Sequence, residues 1–286
     1  MQKARIQRCS VAVPFRLSYH HFSQGSRNMK LQKLLVGFSF LSVGLTLSAT
    51  SAQAFTFQTN LAPGSSDPKG NIWLESVTLN DDTVFSDFSF VSGAQIVHND
   101  LYTGGNTGAA SSDRGDEADG VKLEKATNES IVQSLGNNNL NNIIDGEDQG
   151  SFVINVSFEK AVSSLFFWER GMNSRLGVQA LDTAGNLIGN FLTLDSRTWK
   201  AAGFSIDTTE IGGAQRVGSL GVSLADLGVT GPISAIQLTS RSNFNGPDFK
   251  VIGGAAPQAV PEPTTMAGLA LAGAGFAAAR RRRQQA

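Results

Sequence analysis

Residues 151–158 alternate, with Phe152, Ile154, Val156 and Phe158 on one side and Ser151, Val153, Asn155 and Ser157 on the other. A period of two belongs to a half-buried strand and does not fit an amphipathic helix. The same signature recurs along the chain. Residues 162–169 form a second apolar run after Glu159, Lys160 and Ala161, which read as a short turn. Residues 176–181 and 187–194 flank Asp182, Thr183, Ala184, Gly185 and Asn186, and Gly185 at a left-handed position predicts a bulged hairpin loop. Residues 72–79 and 85–91 supply early strands, and residues 217–224, 233–239 and 249–252 supply late ones. Helical spacing occurs only at residues 128–135, with Leu140, Ile143 and Ile144 beyond. That segment predicts one or two short helices between Asn-rich turns.

Many short strands and little helix define an all-β chain, and a two-sheet β-sandwich buries such strands best. The pattern resembles a jelly roll of the galactose-binding-like or carbohydrate-binding-module kind. Immunoglobulin-like topology is the alternative, for which the chain is long. The body assigned to this sandwich is residues 55–254, followed by an Ala/Pro linker at 255–260. With Cys9 the only cysteine, and lying far upstream, the body has no disulfide and must be held by its core.

Both ends carry address signals. Lys30 and Lys33 precede an apolar stretch at 34–47, and Ala52-Gln53-Ala54 satisfies the A-x-A rule for signal peptidase. Residues 29–54 are therefore read as a signal peptide, with cleavage after Ala54, and residues 1–28 as an upstream extension from a mis-chosen start. At the other end Pro261, Glu262 and Pro263 precede an apolar run. Arg280, Arg281, Arg282 and Arg283 close it, and they would remain cytoplasmic by the positive-inside rule. The apolar run is shorter than the roughly 20 residues of a stable span, which suits a temporary stop.

Residues 261–283 resemble the PEP-CTERM sorting signal. That resemblance implies cleavage near the tripeptide by an exosortase, a membrane-embedded cysteine transpeptidase. It also implies transient inner-membrane insertion in a bacterium with an outer membrane. The destination would be the cell surface or extracellular matrix, where such proteins accompany exopolysaccharide and biofilm. The aromatic segment at 166–173 and the Asn-rich stretch at 135–145 resemble other exosortase-dependent surface proteins, a group without an activity to carry over.

Charge is distributed unevenly. Of 23 basic residues, seven lie at or before Lys33 and four form the terminal cluster, leaving 12 against all 24 acidic residues. A formal charge of −12 over residues 55–279 repels phosphate backbones, so nucleic acid is excluded as a partner, whereas divalent cations are favoured. His98 alone among the histidines lies in the body, which rules out His/Cys zinc sites there.

Two groups of residues could bind a ligand. Asp113, Asp116, Glu117 and Asp119 lie among glycines at short spacing and could offer oxygen ligands to calcium, the one cofactor the sequence suggests. A solvated acidic loop is the plainer reading, and Asp145-Gly146-Glu147-Asp148 is a second acidic turn. Three consecutive aromatics at Phe166, Phe167 and Trp168 require that at least one ring meets something other than the main core. Trp168 could stack on a sugar, with Glu169, Arg170 and Asn173 bonding its hydroxyls; a core Trp168 beside a Glu169–Arg170 ion pair is the alternative. No nucleophile-and-base arrangement is evident, so the expectation is a non-catalytic surface or matrix protein, with a lectin-like module as the alternative. A glycoside hydrolase or lyase would draw on a carboxylate pair such as Glu169 and Asp248.

Overall fold

The computed structural model describes residues 54–257 except Asn106. Ala54 is its first residue. Ala52, the rest of the leader and the sorting residues from Pro261 to Arg283 lie outside the described residues. Strands β1 (Phe57–Leu61), β2 (Leu74–Leu79) and β3 (Val84–Phe85) form a three-stranded antiparallel sheet in that order. The chain continues through β4 (Phe88–Ser89), β5 (Val91–Asn99), β6 (Ala110–Arg114), helix α1 (Asn128–Leu135) and β7 (Asn142–Gly146). Next come β8 (Phe152–Arg170), β9 (Leu176–Leu181), β10 (Leu187–Leu194) and β11 (Lys200–Ile206). The final strands are β12 (Gln215–Ser223), β13 (Ile233–Ser240) and β14 (Asp248–Ala255).

The eleven strands from β4 onward form a second antiparallel sheet, with the path β10-β9-β13-β8-β14-β7-β6. Strands β5 and β12 also pair with β8, β11 pairs with β12, and β4 pairs with β14. The all-β, two-sheet expectation holds, with one helix among the described residues.

Strand β8 runs straight through Glu159, Lys160 and Ala161, where the sequence reads as a turn. Those residues are a bulge. Strand β13 advances from Ile233 to Ala235 while β8 moves from Val162 back to Ser157. Extra residues on one strand are absorbed without reversing it, which bends the strand and shifts its alternation. Before the bulge β8 lies between β5 and β13, and beyond it between β12 and β14.

The shift in alternation separates two cores. Phe152, Ile154, Val156, Phe158, Leu165 and Phe167 enter a large core with residues of β9, β12, β13, β14 and α1. Phe166 and Trp168 point the other way, into a second core closed by Phe57, Leu74 and Val77 of the small sheet. The three aromatics are thus divided between two apolar layers. Phe57 meets Trp168 edge-on with ring centroids 5.4 Å apart, and the Trp168 indole N–H donates to Thr59 Oγ1 at 2.9 Å.

Helix α1 starts where Thr127 caps it, the Thr127 and Ser130 side chains bonding reciprocally to each other's backbone N–H. Ile131 and Leu135 turn into the large core. The helical pattern read beyond it, at Leu140, Ile143 and Ile144, belongs instead to a loop and strand β7. Asparagine side chains replace the missing backbone partners there. Asn139 Oδ1 accepts from the Ile72 and Asn141 N–H groups, and Asn141 Nδ2 donates to the Pro68 and Gly70 carbonyls. A buried loop needs such partners for its main chain, and asparagine supplies a donor and an acceptor on a short stem.

The hairpin expected around Gly185 forms with the strand limits read from sequence, Gly185 having φ +83°. At the other end, β14 carries ladder pairing to Ala255, and Ala256 N–H donates to the Ala161 carbonyl, so the fold reaches beyond residue 254. Trp168→Ala should cost about 3–5 kcal/mol of unfolding free energy in a denaturant titration, the usual cost of a large buried aromatic.

Candidate functional site

The end of β8 carries charge into the face that Trp168 lines. Arg170 lies two residues on, on the same face and 2% exposed. Asp248, at the start of β14, is its cross-strand partner. The Arg170 Nε and Nη2 groups donate to Asp248 Oδ2 at 3.1 and 2.9 Å. Nη2 also donates to Asp145 Oδ2 at 3.2 Å, and Nη1 to Thr208 Oγ1 at 2.5 Å. Asp113, on β6, stands 3.7 Å from Nη1 and 3.7 Å from the Lys122 ammonium. One guanidinium therefore ties together strands β6, β7, β8 and β14 and the loop after β11.

Arg170, Asp145 and Asp248 line a polar cleft of about 340 Å³ with Glu147, Asp148, Asn173 and Glu210 at its walls. Burial works against the Arg170 charge, but the Asp248 and Asp145 carboxylates outweigh it and raise its pKa. Burial likewise opposes the Asp145 charge. Hydrogen bonds from Asp248 and Glu210, with Arg170 beside it, nevertheless hold the Asp145 pKa below the ordinary range. Glu210 is exposed as a residue, yet its carboxyl tip turns inward to Asp145; that hydrogen bond and burial lift it to about 9. Burial and the neighbouring Asp145 also push Asp248 upward, although three N–H groups, two from Arg170 and one from Gly146, donate to it.

The expected site residues separate on inspection. Arg170 and Asn173 line the cleft. Trp168 is 1% exposed and enclosed by the second core, so its ring has no face on which a sugar could stack. Glu169 is buried on the opposite side of β8, where Ser174 Oγ donates to its Oε1 at 2.5 Å. It is therefore not the ion-pair partner of Arg170, a place taken by three aspartates. Asp248 and Glu169 occupy opposite faces of the sheet and do not flank a common substrate position.

The four acidic residues at 113–119 do not converge either. Asp116 pairs with Lys69 at 3.3 Å, Asp119 accepts from Asn71 at 2.8 Å, and Glu117 is exposed. The carbonyls of that loop already surround a cation, because Arg114 Nη1 donates to those of Gly115, Asp116 and Ala118. Only Asp113 comes close to Asp145 and Glu210 at the cleft, carried there by a strand the sequence reading missed. Glu210, Thr208 and Lys122 carry no motif in the sequence, and only the folded loops bring them beside Arg170 and its aspartates.

A small all-β body with a buried arginine-centred acidic cleft, followed by a C-terminal tail, is the class the fold defines. In that tail, a family model described as the PEP-CTERM protein-sorting motif matches residues 259–283. The chain carries that motif, and with it the signal for exosortase-dependent export to the cell surface. No curated protein matches the sequence.

Two variants test the electrostatics. Arg170→Met should lose about 3–5 kcal/mol in denaturant titration, since it strands buried carboxylates without their cation. Burial raises Glu169 to about 7 in spite of the Ser174 hydroxyl. Because the folded-state value is the higher one, the stabilisation is complete below the unfolded value near 4.5. It is lost as pH rises through 7, by about 3 kcal/mol in all. Melting curves of Glu169→Gln at pH 5 and pH 8 should lack that part of the decline, leaving the variant more stable than the parent at pH 8.

Proposed function

We propose that this protein is a non-catalytic structural component of the extracellular polymer layer, released into it or held in it after processing at both ends. The observation that carries this reading is the sorting motif at 259–283, which begins three residues after the last residue hydrogen-bonded into the fold, Ala256. The Ala/Pro linker read from the sequence at 255–260 would separate the tripeptide from the body and leave it within reach of a membrane-embedded protease. The acidic, cysteine-free body supports the same reading, since its high net charge favours solubility among polyanionic or neutral polymers.

A lectin-like role is the second reading, and it now rests on a different surface from Trp168. A groove of about 730 Å³ crosses β5, β8 and β13 and carries Gln95, Asn155, Ser157 and Asp182. Amide and hydroxyl groups on a sheet face suit sugar hydroxyls. A pull-down with the cell's own polysaccharide would favour this reading if retention falls in Asn155→Ala, and would dismiss it if nothing is retained.

Intact-mass and C-terminal peptide analysis of the protein from the native surface tests the main reading. The expected chain starts at Phe55 and ends near Pro261 to Pro263. Recovery of peptides containing Arg280 to Arg283 from the surface-held protein would overturn exosortase processing. Polymer turnover by the purified protein would overturn the non-catalytic role.

A further inference from the structure

We infer that the cleft beside Arg170 is a calcium site whose protein ligands are Asp113, Asp145 and Glu210. One carboxylate oxygen from each lies within 4.8 Å of the other two. Calcium holds oxygen ligands at about 2.3–2.6 Å, so the oxygens of its shell lie at most about 5 Å apart, and all three fit on one such shell. The ligands come from β6, β7 and the loop after β11, the irregular mixture calcium tolerates and magnesium's strict octahedron does not.

Asp113 supplies the independent sign of a missing partner. It is 2% exposed, and neither of its carboxylate oxygens accepts a hydrogen bond. Its nearest cations, Lys122 and Arg170, stand at 3.7 Å, beyond hydrogen-bonding reach. A buried carboxylate left without donors costs free energy, and native structures rarely retain one unless an ion or water completes it. It points into the group formed by Asp145 and Glu210.

The charges agree. Asp113, Asp145, Asp248, Glu210 and Glu147 face one another across the cleft, with Arg170 and Lys122 the cations beside them. A divalent ion offsets most of that excess. Arg170 holds Asp248 and one oxygen of Asp145, fixing the carboxylates in place, while the ion takes the remaining oxygens. Glu210, exposed on its loop, is the arm that closes over it. The ring of carbonyls around Arg114, a few residues along the chain, stays occupied by the guanidinium and takes no part.

The processed protein isolated from the cell surface, stripped with EDTA and titrated with calcium chloride in a calorimeter, provides the test. One saturable site is expected, with a Kd of about 10⁻⁴–10⁻³ M, the range of extracellular calcium modules. Calcium should also raise the melting temperature. Asp113→Asn should weaken binding at least tenfold, by the loss of one charged ligand. Glu210→Gln should do the same without risk to folding, because the residue sits on an exposed loop. Asp113→Asn should also melt no lower than the parent in EDTA, which would not be so if Asp113 served only to support Arg170. No saturable heat up to about 10 mM calcium, well above that affinity range, would overturn the site. Undiminished binding in both variants, or an equal response to magnesium, would overturn it as well.

Discussion

Beyond its bulge, β8 is buried on both faces, and the rest of the molecule is arranged to make that possible. A strand covered on one side can alternate apolar and polar residues. A strand covered on both must be apolar throughout or must pair whatever polar groups it carries. Phe166, Phe167 and Trp168 meet the first condition by dividing between two cores, and Arg170 meets the second with three aspartates. The small sheet formed by β1, β2 and β3 covers the outer face of this half of β8. Without it, Phe166 and Trp168 would lie against water.

The arginine cluster is the polar continuation of that second core. Moving along the same face of β8, the lining changes within two residues from an indole to a guanidinium, and the covering groups change from Phe57 and Val77 to carboxylates. Arginine suits the position because its planar fork can bond Asp248 twice while its other nitrogens reach Asp145 and Thr208. The buried Lys250 ammonium, also on β14, follows a similar logic. It donates to the Ser134 carbonyl in the last turn of α1 and to Asn137 Oδ1, placing a cation at a helix C-terminus that has no basic residue of its own. Burial draws its pKa well below the usual lysine value.

Local chemistry was legible in the sequence and long-range pairing was not. The hairpin around Gly185 and the helix at Asn128–Leu135 follow from nearest-neighbour rules, and both appear with the boundaries those rules give. Glu159-Lys160-Ala161 misled because a polar triplet between apolar runs suits a bulge as well as a turn, and only the partners on either side distinguish them. The three aromatics did announce that at least one ring would meet something other than the main core, but not that Phe166 and Trp168 would both be enclosed in a second one. The acidic run at 113–119 looked like one site because its residues are close in sequence. Strand β6 instead sends Asp113 inward, while the following loop pairs Asp116 with Lys69, turns Glu117 and Asp119 outward and wraps its carbonyls around Arg114. Asp248 and Glu210, distant in sequence, enter the cleft through strand pairing and a loop approach that one sequence does not encode locally.

Strand β14 ends four residues before the sorting motif begins. It is not an edge strand: β8 flanks it along its whole length, with β7 and β4 on its other side. If the processed end is held fast, any tension on the body enters through this strand. A pull along its axis is then shared by all eight residues of the ladder at once, instead of opening hydrogen bonds one by one from a free margin. The strand that carries the address label is thus also the one best able to bear a mechanical load.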